Sequence, residues 1–559
     1  MIARIRVVMP ILWVTMATSG LIYVAASRPE RFGFYRDDSM YAVMAKSLAT
    51  NRGYRVLSLP GEPIQAKSPP FFPFLLSLIW WANPHFPENV AWMTLLSAVA
   101  AIAFLGLACR YLVDHGYATH WQALAIVALV GINWRTVVLA GGVYSEMVYA
   151  SLSILALYLA ETYQKHPDRW ISGVTSGVLV GLAFLTRSAG IALLLALACY
   201  YIIRRFKRGT LPVAIAVTIV LGWVAWGQLR GSGAHNVNAG FYESYFSTFS
   251  QLVGGSQAQG FSGILKLLAQ IISTNTVGLL FVSVPVVCLG LNYDAVVHYR
   301  FGFPLIAAAV LLLIVGGFLR QRRERIRLMH AYVVSYVGVH LFWPYTAYDR
   351  FLMPLLPFLI LFFVIEAGAL WRLVRESWSL PGEMTKKLSA ALIAAVVVSA
   401  AGIAFYNYGL GLVRSMAEST LDKIPRPSAE DREAIEWINA NTGPSDVLIC
   451  YRDPLYYLYT GRKATRSVLS RQGGLLDEQE GLNEASRALL KIVEENNARY
   501  VVLTDSDFDL ESEPDVQRDN LTVVLQQNPS VFVPVFRASD GRSALYRIDD
   551  NAVRAKSAN

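Results

Sequence analysis

Two adjacent carboxylates, Asp37 and Asp38, open the stretch DDSMYAVMAKSLATNRGY. One carboxylate is enough to cap the free N–H groups at a helix start. The second exceeds that task, and a carboxylate beside apolar surface can take a proton as a general base. If Asp38 is the cap, Asp37 lies one residue outside and turns toward the cavity. Lys67 follows in KSPPFFP, where the prolines make a rigid lead-in to an apolar segment. A lysine there either snorkels or offers a cation to a phosphate. Three further groups interrupt apolar sequence: Tyr144-Ser145-Glu146, Leu185-Thr186-Arg187, and Tyr348-Asp349-Arg350 ahead of Phe351-Leu352-Met353-Pro354. Charges in such surroundings usually face a cavity and mark a functional site. A purely structural Arg187–Glu146 ion pair is the competing reading. Tyr35, Tyr345 and Tyr348 are further candidates to line the cavity.

The elements that must position these groups are set by composition. The chain has 559 residues, 54% hydrophobic and only 16% charged, where a soluble domain carries about 25% charge. Mean hydropathy is +0.40. Disorder is excluded, the charge deficit argues against a large soluble enzyme, and recurrent apolar runs predict a polytopic helical membrane protein. Spans are expected near 7–27, 90–110, 120–139, 143–161, 171–187, 189–203, 211–229, 271–291, 301–319, 329–345, 350–371 and 388–412. The stretch 41–48 carries an apolar stripe (Tyr41, Met44, Ala45, Leu48) that predicts an amphipathic helix on the membrane surface.

Charge orients the spans. Residues 421–559 hold 17 Lys+Arg and 23 Asp+Glu, against 32 and 17 in residues 1–420. The basic excess lies in short loops and reads as topogenic charge on the cytoplasmic side, not as a nucleic-acid face. Arg320–Arg327 is the most basic loop. Placing it inside requires one more crossing between about 240 and 300, for thirteen in all. Residues 28–88, about 230–265 and 421–559 then lie outside.

Residues 421–559 change period. Ala429–Asn441 and Glu484–Asn497 read as helices, and Asp446–Tyr451, Tyr500–Leu503, Val531–Phe536 and Ala544–Ile548 as strands, a small α/β layer domain. It has neither GxGxxG nor a P-loop. Cys109, Cys199, Cys288 and Cys450 form no paired spacing, and the eight histidines no HExxH, so no disulfide framework or zinc site is indicated.

The stretches DDSMYAVMAKSLATNRGY, KSPPFFPFLLSLIWW, VYSEMVYASL, GLAFLTRSAG, YDRFLMPLLPFLILF and IEWINANTGPSDVLICYRDPLYYLYTGRKATR, in this order, resemble one family. It is the GT-C fold, polyprenyl-phosphate-dependent glycosyltransferases, the superfamily of protein O-mannosyltransferases and aminoarabinose lipid A transferases. The resemblance covers nearly the whole chain. It implies a membrane GT-C domain over 1–420 with about thirteen transmembrane helices, an active site in the first outer loop (28–88), and a soluble domain over 421–559 on the outer, periplasmic side. It implies a multi-pass protein of the bacterial inner membrane. The donor would be a polyprenyl-phosphate sugar and the acceptor a lipid, glycan or protein. By motif, Asp37 matches the catalytic acidic residue and Asp38 its acidic neighbour. Lys67 matches the basic residue near the donor phosphate, and Arg350 an arginine ahead of the apolar span; a departing phosphate needs positive charge, and Lys67 and Arg350 are the expected donor phosphate-binding residues. The resemblance leaves a divalent cation open, and no dedicated ligand cluster stands in the sequence. A transporter or flippase of a lipid-linked sugar is the rival reading, since membrane-embedded charges suit it too; a non-catalytic assembly subunit is another. The outer loop with two carboxylates, and the lack of a repeat between halves, favour an enzyme.

Overall fold

The computed structural model describes residues 2–28, 31–33, 36–230, 260–291, 302–324, 326–343, 348–379, 384–417, 427–467, 478–505, 507 and 514–557. The chain divides into two compact units.

The first unit comprises Met1–Ser27, Thr94–Trp223 and Phe249–Leu421 and is helical. Among the described residues of the whole chain, six helices are long and apolar enough to cross a membrane: Val8–Ala25, Val90–Asp114, Lys207–Arg230, Ser262–Leu289, Phe303–Arg322 and Met353–Ser377. A seventh is made if His120–Ile132 and Trp134–Ala140, bent by 62°, are one span. Shorter or more polar helices, among them Glu146–Lys165, Trp170–Thr186, Ile191–Ile203 and Leu328–Leu341, occupy the remaining expected spans. The extra crossing expected between about 240 and 300 falls partly on 231–259 and 292–301, outside the described residues.

Breaks in these helices are held by side chains, because free backbone groups at membrane depth need partners. Asn133 sits at the 62° bend. Its Nδ2 donates to the Val287 carbonyl (2.9 Å) and Tyr408 hydroxyl (3.1 Å), and its Oδ1 accepts from the Arg135 amide (3.0 Å). Asn275 Nδ2 donates to the carbonyls of His340, Leu341 and Trp343 at the end of Leu328–Leu341. Ser262–Leu289 runs through a π-helical stretch, Thr276–Ser283, just before Pro285. A proline has no N–H and crowds the preceding turn, which favours such a register change. Helices Phe303–Glu324 and Leu356–Ser379 meet backbone to backbone at Gly317, whose Cβ position is occupied by the Phe362 carbonyl. Small residues of this kind let helices associate without a hydrophobic driving force.

The second unit joins Arg28–Met93 to Val224–Thr248 and Asp422–Asn559. Its centre is a five-stranded sheet: β1 (Val447–Ile449), β2 (Ala464–Thr465), β3 (Ala498–Leu503), β4 (Phe532–Arg537) and β5 (Ala544–Ile548), in the order β2-β1-β3-β5-β4. β1 runs parallel to β2 and β3, and β5 antiparallel to β3 and β4. One face buries Leu489, Ile492, Val493, Leu521 and Val524 from two helices, and the other Ala434, Ile435 and Ile438. Helix Ala429–Asn441 and strand β5 have the expected bounds. Helix Asp453–Thr460, strand β2 and helices Pro514–Gln527 and Asp550–Ser557 are additions to the expected set.

β2 would be an open edge, a template for unwanted pairing. The first loop covers it. The Ala464 amide donates to the Ser58 carbonyl (2.7 Å), and Lys463 Nζ donates to the Leu57 carbonyl (2.5 Å) and pairs with Glu62 (2.6 Å). The same loop carries helix Asp37–Ala49 and the apolar helix Phe71–Ala82, which pack together; Trp80 Nε1 donates to the Ala42 carbonyl (3.0 Å). The surface-helix expectation is corrected here. Asp37–Ala49 buries Ala42 and Val43 as completely as Met44 and Ala45, because it is clasped between Phe71–Ala82 and Asp453–Thr460.

Candidate active site

Helix Asp37–Ala49 starts immediately after Arg36, whose φ is 60° and ψ −33°. A non-glycine residue there stores strain of about 1–3 kcal/mol, and such residues cluster at functional sites. Asp37 and Asp38 stand in the first turn, where negative charge suits the helix dipole. Their environments differ. Asp38 is 2% exposed. Its Oδ2 accepts from the Gly33 amide (2.9 Å) and its Oδ1 from the Ser39 amide (2.7 Å). Asp38 is thus not the residue before the helix, as a cap would be; it anchors the loop that leads in. Gly33 makes that possible. Its φ is +90°, and a Cβ on it would lie 2.5 Å from Leu455. Asp37 is partly exposed.

Burial pushes the Asp38 carboxyl up to about 7, against the two amides that lower it; the charge of Asp37 raises it further. A raised carboxyl in a loop suggests a base, but geometry comes first. Both Asp38 oxygens are engaged by backbone. The raised pKa has a consequence for stability. The contribution of Asp38 is full below about 3.8 and is lost as pH rises through about 7, because the folded state holds the proton more tightly than the unfolded one. Asp38→Asn is therefore expected to flatten the fall in melting temperature across that range. A variant with the wild-type slope places the titration elsewhere.

Lys67 is set by a small turn. Gln65 Oε1 accepts from the Lys67 amide (2.7 Å) and the Ser68 amide (3.3 Å), and the Tyr54 hydroxyl donates to the Ser68 carbonyl (2.8 Å). Burial lowers the Lys67 ammonium to about 8; Asp37 acts to raise it, and Arg466 and Arg36 to lower it further. The guanidinium groups of Arg36 and Arg466 lie 4.5 Å and 5.0 Å from the centroid of the Tyr451 ring. One unit thus gathers Asp37, Lys67, Arg36, Arg466 and Tyr451. Arg36, Arg466 and Tyr451 were not singled out in the sequence. The signal for them is weak: Arg36 adjoins the acidic pair, and Arg466 ends the stretch GRKATR.

The other unit holds the second set. Glu146, 2% exposed, is the first residue of helix Glu146–Lys165. Arg187, between helix Trp170–Thr186 and the next turn, pairs with it at 2.7 Å and donates to the Ser145 hydroxyl (2.9 Å). Arg350 Nε lies 3.6 Å from the same carboxylate oxygen. Two cations thus share one carboxylate. Asp349 pairs with Arg135 and accepts from the Arg350 amide (2.7 Å). The ion pair expected as a structural alternative is present, and Arg350 joins it. Tyr35 and Tyr345 lie outside the described residues, as does the side chain of Tyr348, which starts the short helix Tyr348–Phe351. Among the described residues no three His, Cys, Asp or Glu side chains converge as a metal site.

No family model and no curated protein matches the chain. Solved structures do. ArnT from Cupriavidus metallidurans bound to undecaprenyl phosphate superposes with a TM-score of 0.52 at 14% identity, over 96% of this chain and 98% of that one. Its apo state gives 0.50 at 13%, over 96% and 98%. The Archaeoglobus fulgidus oligosaccharyltransferase in complex with zinc and sulfate gives 0.50 at 12%, over 95% and 72%. Identities this low speak to architecture, and that architecture, a bundle of apolar helices with a small mixed sheet, is the GT-C fold of these glycosyltransferases.

Proposed function

We propose that this protein is a membrane glycosyltransferase that moves a hexose or pentose from a polyprenyl-phosphate donor to a lipid, glycan or protein acceptor. The reaction would take place on the outer face of the bacterial inner membrane. The observation that carries this reading is the gathering of partly exposed Asp37 with Lys67 and two arginines in one compact unit. The undecaprenyl phosphate in the superposing ArnT structure supports a lipid phosphate as the donor's leaving group.

The chemistry follows from those groups. Asp37 takes the proton from the acceptor hydroxyl or amine. The acceptor's lone pair forms the new bond to the anomeric carbon. The bond from that carbon to the phosphate oxygen breaks, and its electron pair leaves on the phosphate. The phosphate gains negative charge as this happens, so a cation beside it stabilises the transition state more than the bound donor. Lys67 is assigned that role.

The test is consumption of undecaprenyl-phosphate sugars by the purified protein in detergent, with release of undecaprenyl phosphate as the signal. Sugar-lipid crossing vesicle membranes without consumption would instead make the protein a flippase. Thirteen crossings, with 28–88 and 421–559 outside and Arg320–Arg327 inside, complete the reading, on the strength of the basic loops. Introduced cysteines in 421–559 are expected to label from the outer side. Labelling only from the cytoplasm overturns the topology and the site with it.

A further inference from the structure

Arg204-Arg205-Phe206-Lys207-Arg208 puts four cations in five residues, in the turn between helices Ile191–Ile203 and Thr210–Arg230 of the first unit. Phe206 anchors that turn. Its ring packs on Tyr163 (5.4 Å between centroids) and Tyr201 (5.3 Å), while Arg205, Lys207 and Arg208 on either side of it are exposed. Arg205 has a φ of 51°, a strained conformation for a residue other than glycine and one that collects at functional positions. A second turn, 166–169, lies against the first. Arg208 Nη1 donates to the Pro167 carbonyl (3.3 Å), and the Tyr163 hydroxyl to the Arg208 carbonyl (3.4 Å). This turn adds Arg169, also exposed.

One rim of the helical unit thus carries five cations on two turns. Asp168 is the one carboxylate on them. Among the described residues none of the five forms an ion pair, with Asp168 or with any other carboxylate, and Arg204 Nε is buried without a hydrogen-bond partner. The loop that is most basic by sequence differs. Glu366 holds Arg320 at 2.8 and 2.9 Å, and Arg327 donates to the His115 carbonyl (2.7 Å) and lies over the Tyr117 ring. Orienting a span asks only for charge in a loop. It does not ask for cations gathered and left unpaired. The apolar neighbours point to what the rim meets. Ile202 is 75% exposed and Trp170 61%, and Ile171, Ile203 and Leu211 are exposed beside them. At the ends of membrane helices such residues face lipid, with tryptophan at headgroup level. Basic pockets in that position take phospholipid headgroups. Five cations against one carboxylate call for more than one negative charge.

We propose that the turns 166–169 and 204–208 form a binding site for a phospholipid whose headgroup carries two phosphates. The guanidinium forks of Arg205 and Arg208 hold phosphate oxygens, Lys207 and Arg169 add charge, and the acyl chains lie along Ile202 and Ile203. The site does not depend on the glycosyltransferase reading.

The experiment measures binding of cardiolipin, which has two phosphates, phosphatidylglycerol, which has one, and inorganic pyrophosphate to the purified full-length protein in detergent. Wild type is expected to prefer cardiolipin to phosphatidylglycerol at equal phosphate by about 5-fold or more, the worth of one further cation at a headgroup, and to melt at a higher temperature with cardiolipin bound. Arg205→Gln and Arg208→Gln should each lower cardiolipin affinity by about 5-fold, and together by about 25-fold. Both side chains are exposed, so the melting temperature without lipid should stay at the wild-type value; if the double variant does not fold, the single variants carry the test. The control is Arg110→Gln. Arg110 pairs with Asp114 (3.1 Å), which also accepts from the Tyr158 hydroxyl (2.9 Å), so the variant removes the same charge but should leave cardiolipin affinity unchanged. Equal affinity for the two lipids at equal phosphate, or an equal loss in Arg110→Gln, reduces the rim to diffuse charge and overturns the site. Wild-type affinity in the double variant overturns these residues as the ligands. Pyrophosphate bound as tightly as cardiolipin assigns the rim to a soluble anion and overturns the lipid.

Discussion

Asp37→Asn is expected to lower the rate of sugar transfer by about 10²–10⁴-fold, the usual worth of a positioned proton acceptor, with little change in melting temperature. Asparagine keeps the shape of the side chain and its tolerance at a helix start, and removes only the basicity. Asp37 is partly exposed, so the asparagine that replaces it stays within reach of water. Asp38→Asn has the opposite profile. Its carboxylate accepts from the Gly33 and Ser39 amides, and asparagine can keep one such bond through its carbonyl oxygen. Its effect should fall on stability and its pH dependence, with a smaller effect on turnover. Steady-state kinetics together with thermal denaturation separate the two. If the full catalytic loss followed Asp38→Asn and Asp37→Asn stayed active, the roles would be exchanged. If neither variant slowed transfer, the base would lie elsewhere.

Lys67→Ala is the second large effect. It should raise the donor KM and lower kcat, because the same cation docks the phosphate and meets its developing charge. A loss of about 10²–10³-fold in kcat is the scale for removing one electrostatic stabiliser of this kind. The lysine also sets a pH limit. Burial, with Arg466 and Arg36, brings its ammonium down to about 8. Below that pH it is charged and binds the phosphate; as pH rises through about 8 it loses its proton, and with it the attraction. The profile of kcat/KM, which reports the free enzyme, should therefore fall on its alkaline side near pH 8. Lys67→Arg should move that fall upward, since a guanidinium keeps its proton there. An unchanged alkaline limb in Lys67→Arg would assign it to another group.

Much of the helical unit was legible because the rule is short. A run of apolar residues near 20 long forms a helix able to span a bilayer. Helices stand at each of the expected spans, and the helix starting at Glu146 and the break at Arg187 fall where their polar residues interrupt apolar sequence. The period changes in the last 139 residues likewise marked helix Ala429–Asn441 and strand β5 within their observed bounds, because apolar alternation is a local property. Short elements escaped. Strand β2 is two residues long and is defined by its partners, β1 and the first loop, not by any pattern of its own.

By itself the sequence determined which residue types were available: a carboxylate pair, a lysine before prolines, and charges embedded in apolar surroundings. Only the tertiary structure decided how they differ. Asp37 and Asp38 are the same side chain one position apart, and a helix start accepts either. What separates them is the Gly33 amide, brought to Asp38 by a backbone turn that a glycine with φ +90° allows. Arg36 and Arg466 are 430 positions apart in the chain and share one tyrosine ring because β2 pairs with the loop that follows the acidic helix. Periodicity and charge are read along the chain. Burial and electrostatic coupling arise across it, from which segments cover one another, and those set the protonation of Asp38 and Lys67.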